Sequence, residues 1–267
     1  MLRVLASLFA LTLFAASPAL AAEATPSATA STSLEASGNA LIETDDDGLT
    51  IDWSRFVLRI KGIGMAPDRG SLAQRRLMAK RTAFADGYRR LAESLDQLRV
   101  NGSAFVRDLT AVDDQTRLGI NELIRDARAV DTHYWADGSV EVTMELPLTG
   151  PASLARVVFG PTATASESIK TKPTGIVIDA RGTGAQPALR ARLRDQAGKP
   201  LTVEEAPVAY YHVPDGAKPF AGESPLSLKA KRAYGPTRAD LLLGDDEANR
   251  VKDALKNGAR LPIAIIL

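Results

Sequence analysis

The stretch "QRRLMAKRTAFADGYRRLAE", Gln74 to Glu93, threads six basic side chains between Arg75 and Arg90 through alanines and aromatics. It reads either as a cationic surface for nucleic acid or headgroups, or as the solvated face of one helix. At about 100° per residue, Leu77, Phe84, Tyr88, Leu91 and Leu95 fall within a narrow arc, with Ala73 beside them. Arg75, Arg89 and Arg90 point away from that arc, and Arg76 lies on a flank. We therefore expect a long amphipathic helix that starts at a Ser71 cap, ends before Asn101-Gly102, and packs on a sheet. Lys80 borders the apolar arc and Arg81 lies inside it. An arginine there either lays its stem along apolar surface or needs a carboxylate. Arg81 is thus the candidate for a specific structural salt bridge. Arg75, Arg76, Arg89 and Arg90 are the candidate residues for binding an anion.

Working outward, Arg55 to Lys61 alternates, with Phe56, Leu58 and Ile60 on one side, as a half-buried strand does. Order is expected to begin near Leu49. The turn-rich "GIGMAPDRGS" connects the strand to the helix. A shorter helix is expected over Asp113–Asp126, with Ile120, Leu123 and Ile124 inward. The segment "ARAVDTHYW", then Ala136-Asp137-Gly138, then "SVEVTMELPL" carries a β-hairpin signal. Val140, Val142, Met144, Leu146 and Leu148 should face in. The fold class expected is α+β: a strand, long helix, helix and hairpin, packed as sheet on helix, over residues 49–159. A polar linker over 160–174 leads to a smaller mixed α/β domain over 175–267. That domain starts with the strand "GIVIDA", continues through a hairpin from Leu189 to Val203, and ends strand–helix–strand. Asp245 should cap the helix, with Leu241–Leu243 lying beside Ile263–Ile266 as buried strands.

The first 21 residues have the pattern of a secretory signal peptide: Arg3, an apolar run from Val4 to Ala16, then Ala19-Leu20-Ala21. The run is too short to span a bilayer of roughly 30 Å. Ala22 to Asn39 is rich in Ala, Ser and Thr, and residues 22–48 are expected to form a disordered tether. The chain has no cysteine, which excludes disulfides and attachment of lipid at a cysteine. Its 33 basic residues nearly balance its 32 acidic ones, so no bulk field favours nucleic acid. A periplasmic protein with no transmembrane segment in its mature part is expected, with peripheral outer-membrane association open to it.

Signals for chemistry are sparse. His133 and His212 are isolated, and with no cysteine they form no metal-ligand spacing. "ETDDDG", Glu43 to Gly48, has the start of a calcium loop, but its twelfth position is Ser54 rather than Glu. "DARGTG", Asp179 to Gly184, lacks both nucleotide-binding glycine patterns, and Pro187 interrupts any helix after it. It reads as a structural turn with a local Asp179–Arg181 pair. No G-x-S-x-G occurs. The expectation is a non-enzyme, without metal or cofactor. A catalytic alternative would need His133 or His212 in a pocket beside a carboxylate.

"AQRRLMAKRTAFADGYRRLAE" and "ELIRDARAVDTHYWADGSVEVTMELPL" together resemble the domain shared by Lpp-twenty outer-membrane lipoproteins. The same domain resembles the N-terminal region of the flagellar assembly proteins T and P. The similarity runs from about Val57 to Leu148. It rests on Ala79, Arg81, Ala83, Tyr88, Leu91, Ile124, Ala127, Asp137, Gly138 and Val142. The second half is similar to a segment that accompanies this domain in exported bacterial proteins. The resemblance implies an envelope or flagellum-associated protein, with envelope or basal-body proteins or further copies of itself as partners. It carries over no catalytic residue, and the cysteine used for lipid attachment in that family is missing. The expected function is non-enzymatic assembly or scaffolding by self-association or docking. The alternative is a periplasmic binding module for an anionic polymer or ligand, on the basic helix face or in the cleft between domains.

Overall fold

The computed structural model describes residues 33–37, 40–160, 172–201, 206–256 and 260–267. The expected leader, residues 22–32 of the expected tether and most of the expected linker lie outside these. The fold is α+β, and Ser31–Leu267 forms one compact unit.

The first sheet has six strands in the order β1-β2-β3-β4-β8-β7, each antiparallel to its neighbours. It opens with β1 (Ser33–Ser37), β2 (Ala40–Thr44) and β3 (Thr50–Asp52), followed by β4 (Val57–Gly64). The first two strands lie within the expected tether, so order begins well before Leu49. The alternation of β2 is hard to see in the sequence because one of its inward side chains is charged. Leu41 and Glu43 are both buried. The acidic run is a turn in which Asp45 Oδ1 accepts from the backbone N–H groups of Asp47 and Leu49. Such Asx turns are what short acidic side chains supply between strands.

Helix α1 (Leu72–Asp96) starts at Ser71, whose hydroxyl accepts from Gln74 N while the Gln74 side chain accepts from Ser71 N. This reciprocal cap satisfies two of the N–H groups a helix leaves open. The buried ridge of α1 is Ala79, Ala83, Gly87, Leu91 and Leu95, which is not the arc of the flat wheel. A row of residues spaced by four runs obliquely to the helix axis, by about 26°. The sheet meets α1 along that row, so the inward direction rotates along the helix. Leu77 is left exposed, and Phe84 and Tyr88 are half-buried. The first part of the ridge is small because β4 presents Gly62 and Gly64 to it. A Cβ at either glycine would collide with α1 backbone at Ala79, Ala83 or Gly87.

After α1 come β5 (Arg99–Asn101), β6 (Ala104–Phe105), α2 (Val106–Thr110) and α3 (Asp114–Arg125). Asp113 caps α3, accepting from Gln115 N and Thr116 N. The hairpin β7 (Arg128–Tyr134) and β8 (Val140–Pro147) turns at Asp137-Gly138, where Gly138 has φ of +87°. Val140, Val142, Met144, Leu146 and Leu148 are all buried, as their alternation requires. Helix α4 (Leu154–Phe159) follows.

The second half holds β9 (Ile176–Asp179), β10 (Leu193–Arg194), β11 (Val208–Tyr211), α5 (Lys218–Ala221), β12 (Leu226–Lys229), β13 (Arg232–Tyr234), β14 (Asp240–Leu242), α6 (Asp245–Ala254) and β15 (Ile263–Ile266). Four of the strands form an all-parallel sheet, β11-β15-β9-β12, and three form a separate sheet, β10-β14-β13. Leu241 and Ile263 therefore belong to different sheets, against the expectation that these strands lie side by side. Both strands are fully buried, and apolar runs of that kind do not say which neighbour they pair with. Gly244 is the N-cap of α6, and Asp245 is its first residue rather than its cap. Of the hairpin expected from Leu189 to Val203, the described residues pair at its tip, where Asp195 N donates to Lys199 O and Leu201 N donates to Leu193 O, and residues 202–203 lie outside them. Before the tip, the N–H groups of Leu189 and Arg190 donate instead to the carbonyls of Arg99 and Val100.

Long-range polar contacts join the two halves. Gly102 N donates to Asp240 Oδ1 at 2.7 Å, and Ser54 Oγ donates to Tyr210 O at 2.9 Å. Trp53, Phe56 and Tyr210 stack around one point, with ring centroids 5.8–6.0 Å apart. One apolar core runs through both halves.

Candidate functional site

The candidate anion-binding arginines do not form a patch. Arg75 and Arg76 lie in the first turn of α1, whereas Arg89 and Arg90 are about 20 Å further along it at about 1.5 Å per residue. Arg75 Nε donates to Pro67 O at 2.6 Å. Arg89 bridges Asp86 and Glu93 on its own helix at 2.8 and 2.7 Å. Arg90 pairs with Asp86 at 3.0 Å and donates to Asp47 O. Asp86 also accepts from Ile63 N, tying α1 to β4. Partial burial of Asp86 works against ionisation, but the Ile63 N–H and the two arginines outweigh it and hold the carboxyl below its ordinary pKa. Of the four candidates, Arg75 and Arg76 have no ion pair among the described residues, and Arg76 is exposed.

Arg81 is exposed and makes no ion pair among the described residues, so the expected structural salt bridge is not found there. The rotation of the buried ridge carries it off the sheet, so its charge stays in water and needs no partner.

Both histidines are exposed, and His133 lies opposite Glu141 in the sheet rather than in a recess. His212 is exposed just past β11, and His133 is exposed on β7 against the Trp135 ring, with centroids 4.3 Å apart. Asp179 and Arg181 form the local pair at 2.7 Å, and the Arg181 hydrogen bond holds the Asp179 carboxyl below its ordinary pKa. Among the described residues, no group of three His, Cys, Asp or Glu side chains is placed to hold a metal ion. No described helix is long and apolar enough to cross a membrane.

Two features stand out instead. The first is the outer face of the first sheet, opposite α1. Its middle rows are charged, with Arg59 paired to Glu145 at 2.8 Å and Lys61 to Glu141 at 3.0 Å. Its end is apolar. Ile63 lies opposite Glu141, and Glu141 lies opposite His133, so Ile63 and His133 share this face. Trp135 packs on His133. Ile63, Met65 and Trp135 are each roughly half exposed or more, at 46%, 69% and 50%. The adjoining edge strand β7 is exposed on both faces apart from Thr132. Its edge is guarded: a register irregularity falls between Ala129 and Asp131, and Asp131 Oδ1 accepts from Thr132 N. Irregular register and charged side chains on an edge strand are common means of stopping unplanned strand addition.

The second is a cleft of about 570 Å³ between the β3–β4 turn, the start of α4 and β11. Arg55, Arg156 and Arg190 lie on it. None of the three stood out in the sequence, because they come from three distant segments and each sits in an ordinary polar position. Phe56 lines the cleft with φ of +54°, unusual for a bulky side chain and visible only in the folded backbone.

Residues 175–267 match the family model described as Treponema pallidum Tp0624, second domain. The match starts at the residue before β9 and takes in both the parallel sheet and the three-stranded sheet. No curated protein matches the chain.

Proposed function

We propose that the protein is a non-enzymatic exported envelope protein that acts by docking, and that further copies of the same chain are its first partners. The observation that carries this is the apolar end of the outer sheet face, where Ile63, Met65 and Trp135 stand exposed beside a charged ladder. Clustered exposed apolar side chains rimmed by charge are typical of interaction surfaces. Tryptophan contributes disproportionately to binding energy at such surfaces. The resemblance to the Lpp-twenty and flagellar T and P proteins supports a place in the periplasm, in envelope or flagellum-associated assembly.

Sedimentation or light scattering over a concentration series tests this. The expected result is reversible self-association that weakens at least tenfold in Trp135→Ser and Ile63→Thr, with no change in melting temperature. A strict monomer at high concentration would count against self-association, and unchanged association in both variants would rule out this face.

A further inference from the structure

From the geometry of the cleft we infer a second site, independent of the docking face: a pocket for a small amphiphile with an oxyanion head and an apolar body. Its volume, about 570 Å³, lies within the roughly 300–1,000 Å³ usual for small-molecule sites. Its rim is cationic. Arg55 and Arg156 are exposed there, and among the described residues neither guanidinium has an ion pair. Arg190 also lines the cleft, its guanidinium 3.6 Å from the centroid of the Phe159 ring. No carboxylate lines the cleft among the described residues. Below the rim, the walls are Phe56, Leu189, Val208, Tyr211 and Phe220. Arginine rim and apolar walls are complementary to a carboxylate or phosphate joined to an aliphatic or aromatic body.

The backbone that presents Arg55 is over-determined. Asp52 Oδ1 accepts from both Ser54 N and Arg55 N, at 3.1 and 3.0 Å. Ser54 Oγ accepts from Leu41 N and donates to Tyr210 O. Phe56, the next residue, is left-handed, a conformation that costs on the order of 1–3 kcal/mol for a residue other than glycine. Such outliers concentrate where a loop must hold a side chain toward a ligand. Here the turn fixes Arg55 at the mouth and Phe56 in the wall.

Titration calorimetry on the purified protein with octyl phosphate tests the site, with inorganic phosphate and octyl glucoside as comparators. Octyl phosphate is expected to bind saturably at one site, at least tenfold more tightly than either comparator, and more weakly as salt rises. The Arg55→Ala/Arg156→Ala variant should weaken it at least tenfold. Thr149→Trp, at an exposed rim position, should block it while leaving the melting temperature unchanged. The Trp135→Ser variant should bind as the unaltered protein does, which separates this site from the docking face. Absence of saturable binding, equal affinity for inorganic phosphate, or affinity retained in both cleft variants would overturn the assignment.

Discussion

The guanidinium of Arg99 lies 2.8 Å from the carboxylate of Glu43, and the same carboxylate accepts the indole N–H of Trp53 at 2.7 Å. Glu43 belongs to an acidic run that reads as tether, yet it is buried and joins β2 to β5. Removing it leaves the indole donor without this acceptor and the mostly buried guanidinium with only its longer contacts to Pro187 O and Gln186 Oε1, at 3.5 and 3.4 Å. Glu43→Ala should therefore cost about 3 kcal/mol, and Glu43→Gln less, because the amide oxygen still accepts from Trp53. Urea unfolding followed by tryptophan emission checks this through a lower midpoint at unchanged slope. A loss under about 0.5 kcal/mol, the size of a surface pair, would show that the pair is solvated.

Asp240 is fully buried and accepts from Gly102 N, Arg192 N and Arg194 Nε, the last at 2.6 Å. Asp240→Ala leaves three donors without this acceptor, whereas Arg194→Met leaves one carboxylate still held by two backbone N–H groups. The first should cost about 3–5 kcal/mol and exceed the second. A double-mutant cycle on the two residues should give a coupling above about 1 kcal/mol. Equal losses in the two single variants would show that the backbone contacts contribute nothing.

Close approach of β4 and α1 depends on Gly62. Its alanine variant drives a methyl group into helix backbone, which cannot yield as a side chain can. We expect Gly62→Ala to cost about 3 kcal/mol and lower the melting temperature by at least about 6 °C. Gly87→Ala meets the thioether of Met144 instead, and helix propensity offsets part of that clash. It should be the milder of the two by calorimetry, and the reverse order would contradict the packing described.

Alkaline stability should depend on Tyr210. Burial, more than any charge, pushes its hydroxyl pKa well above the ordinary value of about 10, while the hydroxyl exchanges hydrogen bonds with Ala188 N and O. Its contribution is fully present below pH about 10 and is lost above it, as the unfolded chain ionises and the folded one does not. Half-buried Tyr211 adds in the same direction. Tyr210→Phe should lower stability at pH 8 by about 1–3 kcal/mol but show a shallower decline between pH 9 and 11.5. Denaturant melts across that range give the slope, and an unchanged slope would refute the assignment.

Short-range chemistry was legible in the chain. The Ser71 cap, the hairpin turn at Asp137-Gly138 and the alternation from Val140 to Leu148 are set by neighbours a few residues apart, so they can be read from the chain alone. The α+β class followed from those periods. What only the tertiary structure decided is everything set by approach angle and distant pairing. The sheet crosses α1 obliquely, so the buried ridge runs from Ala79 to Leu95 and Arg81 stays in water. Glu43 is a strand residue because Arg99 and Trp53 wait for it. Leu241 and Ile263 carry the same apolar signal and go to different sheets, since burial on both faces leaves no mark of the partner. The cleft follows the same rule: Arg55, Arg156 and Arg190 meet only when one core draws three separate segments together.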